Sequence, residues 1–242
     1  MRQFLLPLLV VGLTAGVVGP VAAQKIIEKN APVAAGQRVV LDLRFGNTIR
    51  LRPATDNQLH VQATVDINDN KLNEALQFAF SETPSSVTVS TDLSKQMLAT
   101  AQPGDCPPNR ATTNYFGSWD KGPKDGAAVC TTINYDIMVP AGADVSVRTI
   151  TGNIEVAGLS GPLEAKSISG FVDVSWPATK GAELALKTIN GEVYTDQEVA
   201  IQNHKEHPIV GYQLRGALAS GSGPLLKLES INGDVFFRKP KQ

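Results

Sequence analysis

Between Val145 and Phe237 apolar and polar residues alternate with a period of two, and nearly the same phrase interrupts the alternation four times. The copies are Thr149-Ile150-Thr151-Gly152, Ser167-Ile168-Ser169-Gly170, Thr188-Ile189-Asn190-Gly191 and Ser230-Ile231-Asn232-Gly233. Before each copy the apolar or small residues share one parity: Val145 and Val147, Leu163 and Ala165, Leu184 and Leu186, Leu226 and Leu228. After it the opposite parity is used by Ile154 and Val156, Val172 and Val174, Val193, and Val235 and Phe237. A straight strand keeps its inward residues on one parity. Each phrase therefore predicts a corner between two strand arms that face one core, with the glycine supplying the permissive backbone. The pattern also assigns Ile150, Ile168, Ile189 and Ile231 to the interior, an aliphatic ladder with steps of about 4.8 Å if successive copies pair directly. The glycines fall 18, 21 and 42 residues apart, as if one copy had lost its signature. A period near 20 predicts an all-β repeat architecture, a single-stranded β-solenoid made of stacked short strands.

Upstream the signal is weaker and similar in kind. Val39–Phe45, the turn Gly46-Asn47, Thr48–Leu51 and Leu59–Val65 read as short strands joined at turns, a first rung of the stack. Leu72, Ala75 and Leu76 allow one helical turn, and 77–81 and 86–91 form a strand pair around Pro84. Arg148, Lys166 and Lys187 before the corners, and Glu155 and Asp173 after them, fall in outward columns that solvate the stack and discourage edge-to-edge aggregation. Two segments break the rhythm. Residues 93–128 are rich in Pro, Gly, Asn and Asp, too long for a turn, and carry Cys106 and the aromatic group Tyr115, Phe116 and Trp119. Residues 197–208 are polar and lead into 209–219, where Tyr212, Leu214 and Leu218 fit a strand in the place of the missing copy.

The first 23 residues read as a secretory signal peptide: Arg2, an apolar run from Phe4 to Val18, and Val21-Ala22-Ala23 as a small-residue cleavage site. Pro7, Gly12 and Gly16 break that run, which falls short of the roughly 18 uninterrupted apolar residues of a membrane span. Cleavage after Ala23 leaves one domain, 24–242, expected in the periplasm or outside the cell with no membrane insertion. With 22 basic against 23 acidic residues, no global field steers the chain toward nucleic acid or an anionic membrane. The only two cysteines, Cys106 and Cys130, form an even count in a chain read as exported, which predicts a disulfide. It would close a loop of about 25 residues and stabilise by roughly 3 kcal/mol on the chain-entropy account.

The run Tyr135–Gly142, followed by Val145–Val156 with its Thr-Ile-Thr-Gly-Asn-Ile core, resembles the bacterial adhesin-like β-repeat family called toastrack, as do Leu184–Thr195 and Leu226–Arg238. The resemblance covers most of the mature chain, strongly from Tyr135 onward. It implies a β-solenoid of the cell envelope, an adhesin or a module of envelope-stress sensing, with no catalytic residues to carry over. The cysteine-bearing insertion and the polar segment 197–208 depart from the pattern.

Chemistry-bearing clusters are sparse. His204-Lys205-Glu206-His207 has metal-ligand residue types, but Pro208 follows at once and no third ligand is set by spacing, so a solvated loop is the stronger reading. His60 lies in an alternating strand as an outward or satisfied histidine. Glu192 and Asp234, beside Asn190 and Asn232, are explained by turn chemistry, and the Gly-Gly-x-Gly-x-Asp phrase of calcium-binding solenoids is absent. Gly221-Ser222-Gly223 lacks the strand-to-helix context of a nucleophile elbow. No cofactor or metal is expected. Tyr115, Phe116 and Trp119 either cap one end of the stack or present a binding face, the cap being favoured because a solenoid end needs cover. The sequence thus points to a non-enzymatic exported envelope or surface protein that binds an envelope protein or polysaccharide. A carbohydrate-active enzyme on the same fold and a stress-sensing module are the alternatives.

Overall fold

The computed structural model describes residues 24–110, 127–202, 211–219 and 222–240. Their regular structure is nearly all β: sixteen strands, a 3-10 turn at Asn73–Ala75 and one short helix, α1 (Lys95–Leu98). The strands belong to one hydrogen-bonded sheet that is folded along a line of corners into two arms. The first arm runs β5 (Leu76–Glu82), β6 (Ser86–Leu93), β2 (Arg38–Leu43), the N-terminal half of β8 (Asp144–Ala157), β9 (Leu163–Ser169), β15 (Leu225–Asn232), β11 (Ala182–Asn190), β14 (Tyr212–Leu218) and β13 (Val199–Ile201). The second runs β1 (Lys25–Pro32), β4 (Gln58–Ile67), β7 (Thr131–Pro140), β3 (Phe45–Ala54), the C-terminal half of β8, β10 (Val172–Ser175), β16 (Val235–Arg238) and β12 (Val193–Thr195). The sheet does not close: β1, β5, β12 and β13 each have a single strand partner.

The parity switch places the inward side chains of both arms in one core. Val145 and Val147 before the first corner, and Ile154 and Val156 after it, are all buried in the same hydrophobic cluster. Trp176, Tyr135 and Phe237 are its largest fully buried members. Val39–Ala54 bends beside the first corner, as Leu41 pairs with Val147 and Ile49 with Ile154, with a register shift between Phe45 and Thr48; Leu59–Val65, read with it as one rung, lies instead in β4, antiparallel to β1 and β7. The strand pair around Pro84 is the antiparallel β5–β6 hairpin.

Two expectations are overturned. The copies do not stack in chain order, because β15 lies between β9 and β11, with Ser230 opposite both Ser167 and Thr188. The doubled interval after Gly191 holds no degenerate copy. It holds β13 and β14, which are antiparallel to one another, and β14 is also antiparallel to β11. Since β14 occupies the outer edge of β11, the last copy takes the inner one.

The second correction concerns the interior of the corner. Thr149, Ser167, Thr188 and Ser230 are buried, whereas Ile168 is 36% exposed and Ile150, Ile189 and Ile231 are partly exposed. The parity change is spread over the residues from the isoleucine to the position after the glycine, and the isoleucines end up outside. The reason is a hydrogen-bond ladder. The hydroxyl of Ser167 donates to the carbonyl of Gly152 (2.9 Å), that of Ser230 to Gly170 (2.8 Å) and that of Thr188 to Gly233 (2.7 Å). Each hydroxyl satisfies a carbonyl of the neighbouring rung that the bend would otherwise leave unpaired inside. Glycine is required by contact as well as by conformation, for the corners stack backbone on backbone. A Cβ on Gly152 would stand 2.5 Å from the carbonyl oxygen of Gly46, and one on Gly233 2.5 Å from that of Gly170. The next residue adds a second ladder: Asn153 Oδ1 accepts from the Phe171 N–H (3.1 Å), and Asp234 Oδ1 from that of Glu192 (2.9 Å).

Replacing Ser230 by alanine removes the donor to the partly buried Gly170 carbonyl. Urea unfolding is expected to show a loss of about 1–2 kcal/mol, whereas Ser230→Thr, which keeps the hydroxyl, should retain most of it.

Cys106 and Cys130 form a disulfide, their Cα atoms 5.7 Å apart. It ties the segment after α1 to the entry of β7. Asn68 supports the same junction by accepting from the Cys130 N–H (2.8 Å) and donating to the Ala128 carbonyl (3.1 Å).

Candidate binding surface

The two outer faces differ in chemistry. On the first arm the outward columns are laced by charge. Glu164 meets Lys227 (3.1 Å), Arg38 (3.1 Å) and Arg148 (3.5 Å), and Glu229 meets Lys166 (3.2 Å) and Lys187 (4.0 Å), so each carboxylate joins neighbouring rungs. Partial burial pushes the Glu164 carboxyl up, but the Lys227 hydrogen bond and the charges of Lys227, Arg148 and Arg38 outweigh it and hold the group below the usual carboxylate range. These cations and anions are committed to one another.

At the C-terminal end of the second arm the outward face is aromatic. Phe236 of β16 is paired in register with Asp173 of β10 on one side and Tyr194 of β12 on the other. The Tyr194 and Phe236 rings stack with centroids 5.2 Å apart and 14° between planes, and Phe171 meets Phe236 edge-on at 5.9 Å. The Arg238 guanidinium lies 4.8 Å from the Phe236 centroid, a cation–π contact, while its Nε donates to Asp173 Oδ1 (2.9 Å) and its Nη2 to Asp173 Oδ2. Asp173 lies on the β10 side, so Phe236 is held between the guanidinium and Tyr194. Tyr194, 48% exposed, sits on the last described strand of this arm. The registers of their flanking residues bring the partly exposed corner residues Ile150, Ile168, Ile231 and Ile189 abreast.

The hydrogen bond that Arg238 donates to Asp173, above all, raises the pKa of Arg238, and the charges of Asp173, Asp196 and Glu155 add to it. Asp173, singled out from the sequence as a solvating acid, is therefore the clamp of this cluster. Asp234 serves the corner ladder through the backbone of Glu192, and Asn190 donates to Asn232 (2.7 Å). His60 is a satisfied histidine, bonded to Asn30 (3.0 Å) and Asp56 (3.0 Å), and its hydrogen bond draws the Asp56 carboxyl below its ordinary pKa. Tyr115, Phe116 and Trp119, and also His204 and His207, lie outside the described residues. Among the described residues no three His, Cys, Asp or Glu side chains gather as a metal site, and no helix is long and apolar enough to cross a membrane. Sequence reasoning missed the cluster of Phe171, Tyr194 and Phe236. The available signal was an outward column that carries charge at Glu155 and Asp173 and turns aromatic at Phe236 and Tyr194.

No protein-family model and no curated protein matches the chain. Among solved structures it is similar to a candidate cell adhesion protein from Clostridium sporogenes, with a TM-score of 0.54 over 90% of this chain and 100% of that one, at 8% identity. A candidate adhesin from Bacteroides fragilis aligns over 90% of this chain and 98% of its own at 11% identity, but a TM-score of 0.21 carries no argument. At 8% identity the first likeness is one of fold. The class it defines is an open, nearly all-β architecture that also occurs in a candidate adhesion protein.

Proposed function

We propose that the chain is a non-enzymatic, exported scaffold of the cell envelope or cell surface with an adhesin-like binding role, built as a solenoid-like stack of the toastrack type. The observation that carries this reading is the outward aromatic cluster in which half-exposed Tyr194 stacks on Phe236 with Phe171 edge-on, because a rigidly held, exposed aromatic ring is the kind of side chain that interaction surfaces use. The fold likeness to a candidate cell adhesion protein supports it. The disulfide fits an oxidising compartment outside the cytoplasm. Two of the acids considered, Asp173 and Asp234, have structural partners: Asp173 clamps Arg238 and Asp234 holds the corner.

Crosslinking and affinity capture of the full-length chain from intact cells of its host test the reading. The expected result is recovery of an envelope component together with a processed chain beginning at Gln24. Recovery from the cytoplasm with an intact N-terminus would overturn the export reading. Turnover of an envelope polysaccharide that is lost in Asp173→Asn or Glu192→Gln would overturn the non-enzymatic one.

A further inference from the structure

We propose that the open edge of β5 pairs with the same edge of a second copy of this chain, giving an antiparallel, two-fold dimer joined through the first arm. The inference goes beyond the envelope-scaffold reading and does not depend on it.

Hydrogen bonding fixes what the edge offers. In the β5–β6 hairpin Thr83 and Ser86 exchange both N–H···O bonds (2.8 and 3.4 Å), and the Ser94 N–H donates to the Ala75 carbonyl (2.9 Å), so the odd-numbered residues of β5 turn their peptide groups toward β6. Those of Leu76, Phe78, Phe80 and Glu82 point the other way, and β5 has no second strand partner among the described residues. The side chains of these four residues lie on the core side, opposite Leu93, Thr91, Val89 and Val87, all buried. Phe78 packs on the core and meets Tyr135 edge-on at 6.5 Å, whereas Phe80, one pleat further along, is 43% exposed. The first arm therefore ends in an unpaired ladder with an aromatic ring uncovered on its core side.

The other strands with a single partner are guarded. β1 carries Lys25, Lys29 and Pro32, and β12 and β13 are three residues long, devices that keep a sheet from pairing with a neighbour. β5 is seven residues long and carries no charge before Glu82. Its sequence also selects the occupant. Full-length antiparallel pairing of β5 with its own copy places Ala79 on the two-fold axis, sets Phe78 against Phe80 of the other copy on both sides of that axis, Gln77 against Ser81, and Glu82 against Leu76. Every pair of edge-facing residues then exchanges N–H···O bonds, the phenylalanines extend the apolar core across the junction, and no like charges stand opposite each other. A self-complementary strand of this kind makes an isologous contact, which closes at two copies and leaves no further edge of its own to grow from.

Sedimentation of the full chain over a range of concentrations, combined with a cysteine trap, tests the pairing. On the axis Ala79 would face its own copy in a pair without mutual hydrogen bonds, with Cα atoms about 4.5 Å apart, within reach of a disulfide. Both native cysteines are already paired with each other, so an introduced thiol is the sole free one. Under mild oxidation Ala79→Cys is expected to give a covalent dimer at least about tenfold faster than Gln77→Cys, whose counterpart would lie four residues away along the ladder. The parent should sediment at twice the monomer mass and dissociate on dilution, and Phe80→Lys should remain a monomer while keeping the melting temperature of the dilute parent. A parent that is monomeric at every concentration, whether its β5 edge is bare or covered by other residues of the same chain, would overturn the proposal. So would a dimer that Phe80→Lys leaves intact, or one in which Ala79→Cys and Gln77→Cys crosslink at equal rates.

Discussion

Replacing Gly170 by valine is expected to leave the chain unable to reach its native fold, with a loss above about 4 kcal/mol. Two effects add. The backbone φ of Gly170 is +148°, a conformation that a β-branched residue adopts only at high cost. Any Cβ there also runs into the carbonyl oxygen and carbon of Gly152, which are backbone atoms with no rotamer to escape into. The clash cannot be relieved by moving one rung, since Gly233 stacks on Gly170 from the other side and Gly191 on Gly233. Gly142→Ala is the control: nothing lies within 4 Å of a Cβ at that position, and the change should stay within about 0.5 kcal/mol. Circular dichroism and thermal unfolding of the two purified variants distinguish corner packing from a general intolerance of glycine replacement. A folded Gly170→Val protein with near-parent stability would refute the stacked-corner account.

Ending the chain at Gly223 should abolish cooperative unfolding altogether. This removes β15 and β16, and with them the buried side chains of Leu226, Leu228, Val235 and Phe237. At roughly 1.5–3 kcal/mol per buried side chain, that loss is comparable to the whole stability of a domain, about 5–15 kcal/mol. The geometry makes matters worse than loss of an end strand. The missing strands lie between β9 and β11 in one arm and between β10 and β12 in the other, so four strand edges open inside the sheet. The shortened protein is expected to give no sharp melting transition, and a synthetic peptide covering 224–242 should restore one in trans. If the shortened protein melts cooperatively near the parent temperature, β15 and β16 are dispensable and the assigned order of strands is wrong.

What the sequence makes legible is local. Period-two alternation reports which side of a strand faces the core, so the arms, the corners and the first rung around Gly46 could be read directly. The pairing of Cys106 with Cys130 followed from there being two cysteines. Three features were out of reach for physical reasons. Strand order depends on which edge remains open after β14 has docked on β11, and that is not encoded in the repeats themselves. The inward placement of Ser167, Thr188 and Ser230 depends on glycine carbonyls of other rungs, so a polarity pattern ranks the adjacent isoleucine as the better core residue and errs. The aromatic column joins Phe171, Tyr194 and Phe236 across three rungs, and becomes a cluster only once β16 is known to lie between β10 and β12. The segments that break the rhythm contribute, among the described residues, the disulfide and the strands β13 and β14.

The position of the last-made copy has a temporal meaning too. Because the ribosome delivers β15 and β16 after every strand they separate, β9 and β11 cannot reach their final spacing while the chain is still growing. A repeat array with neighbours in chain order can zip from its first unit onward; this one must wait for β15 and β16 and then make contacts of large sequence separation, the slow kind. Its own topology holds the second half of the nascent chain open until β15 and β16 have been made.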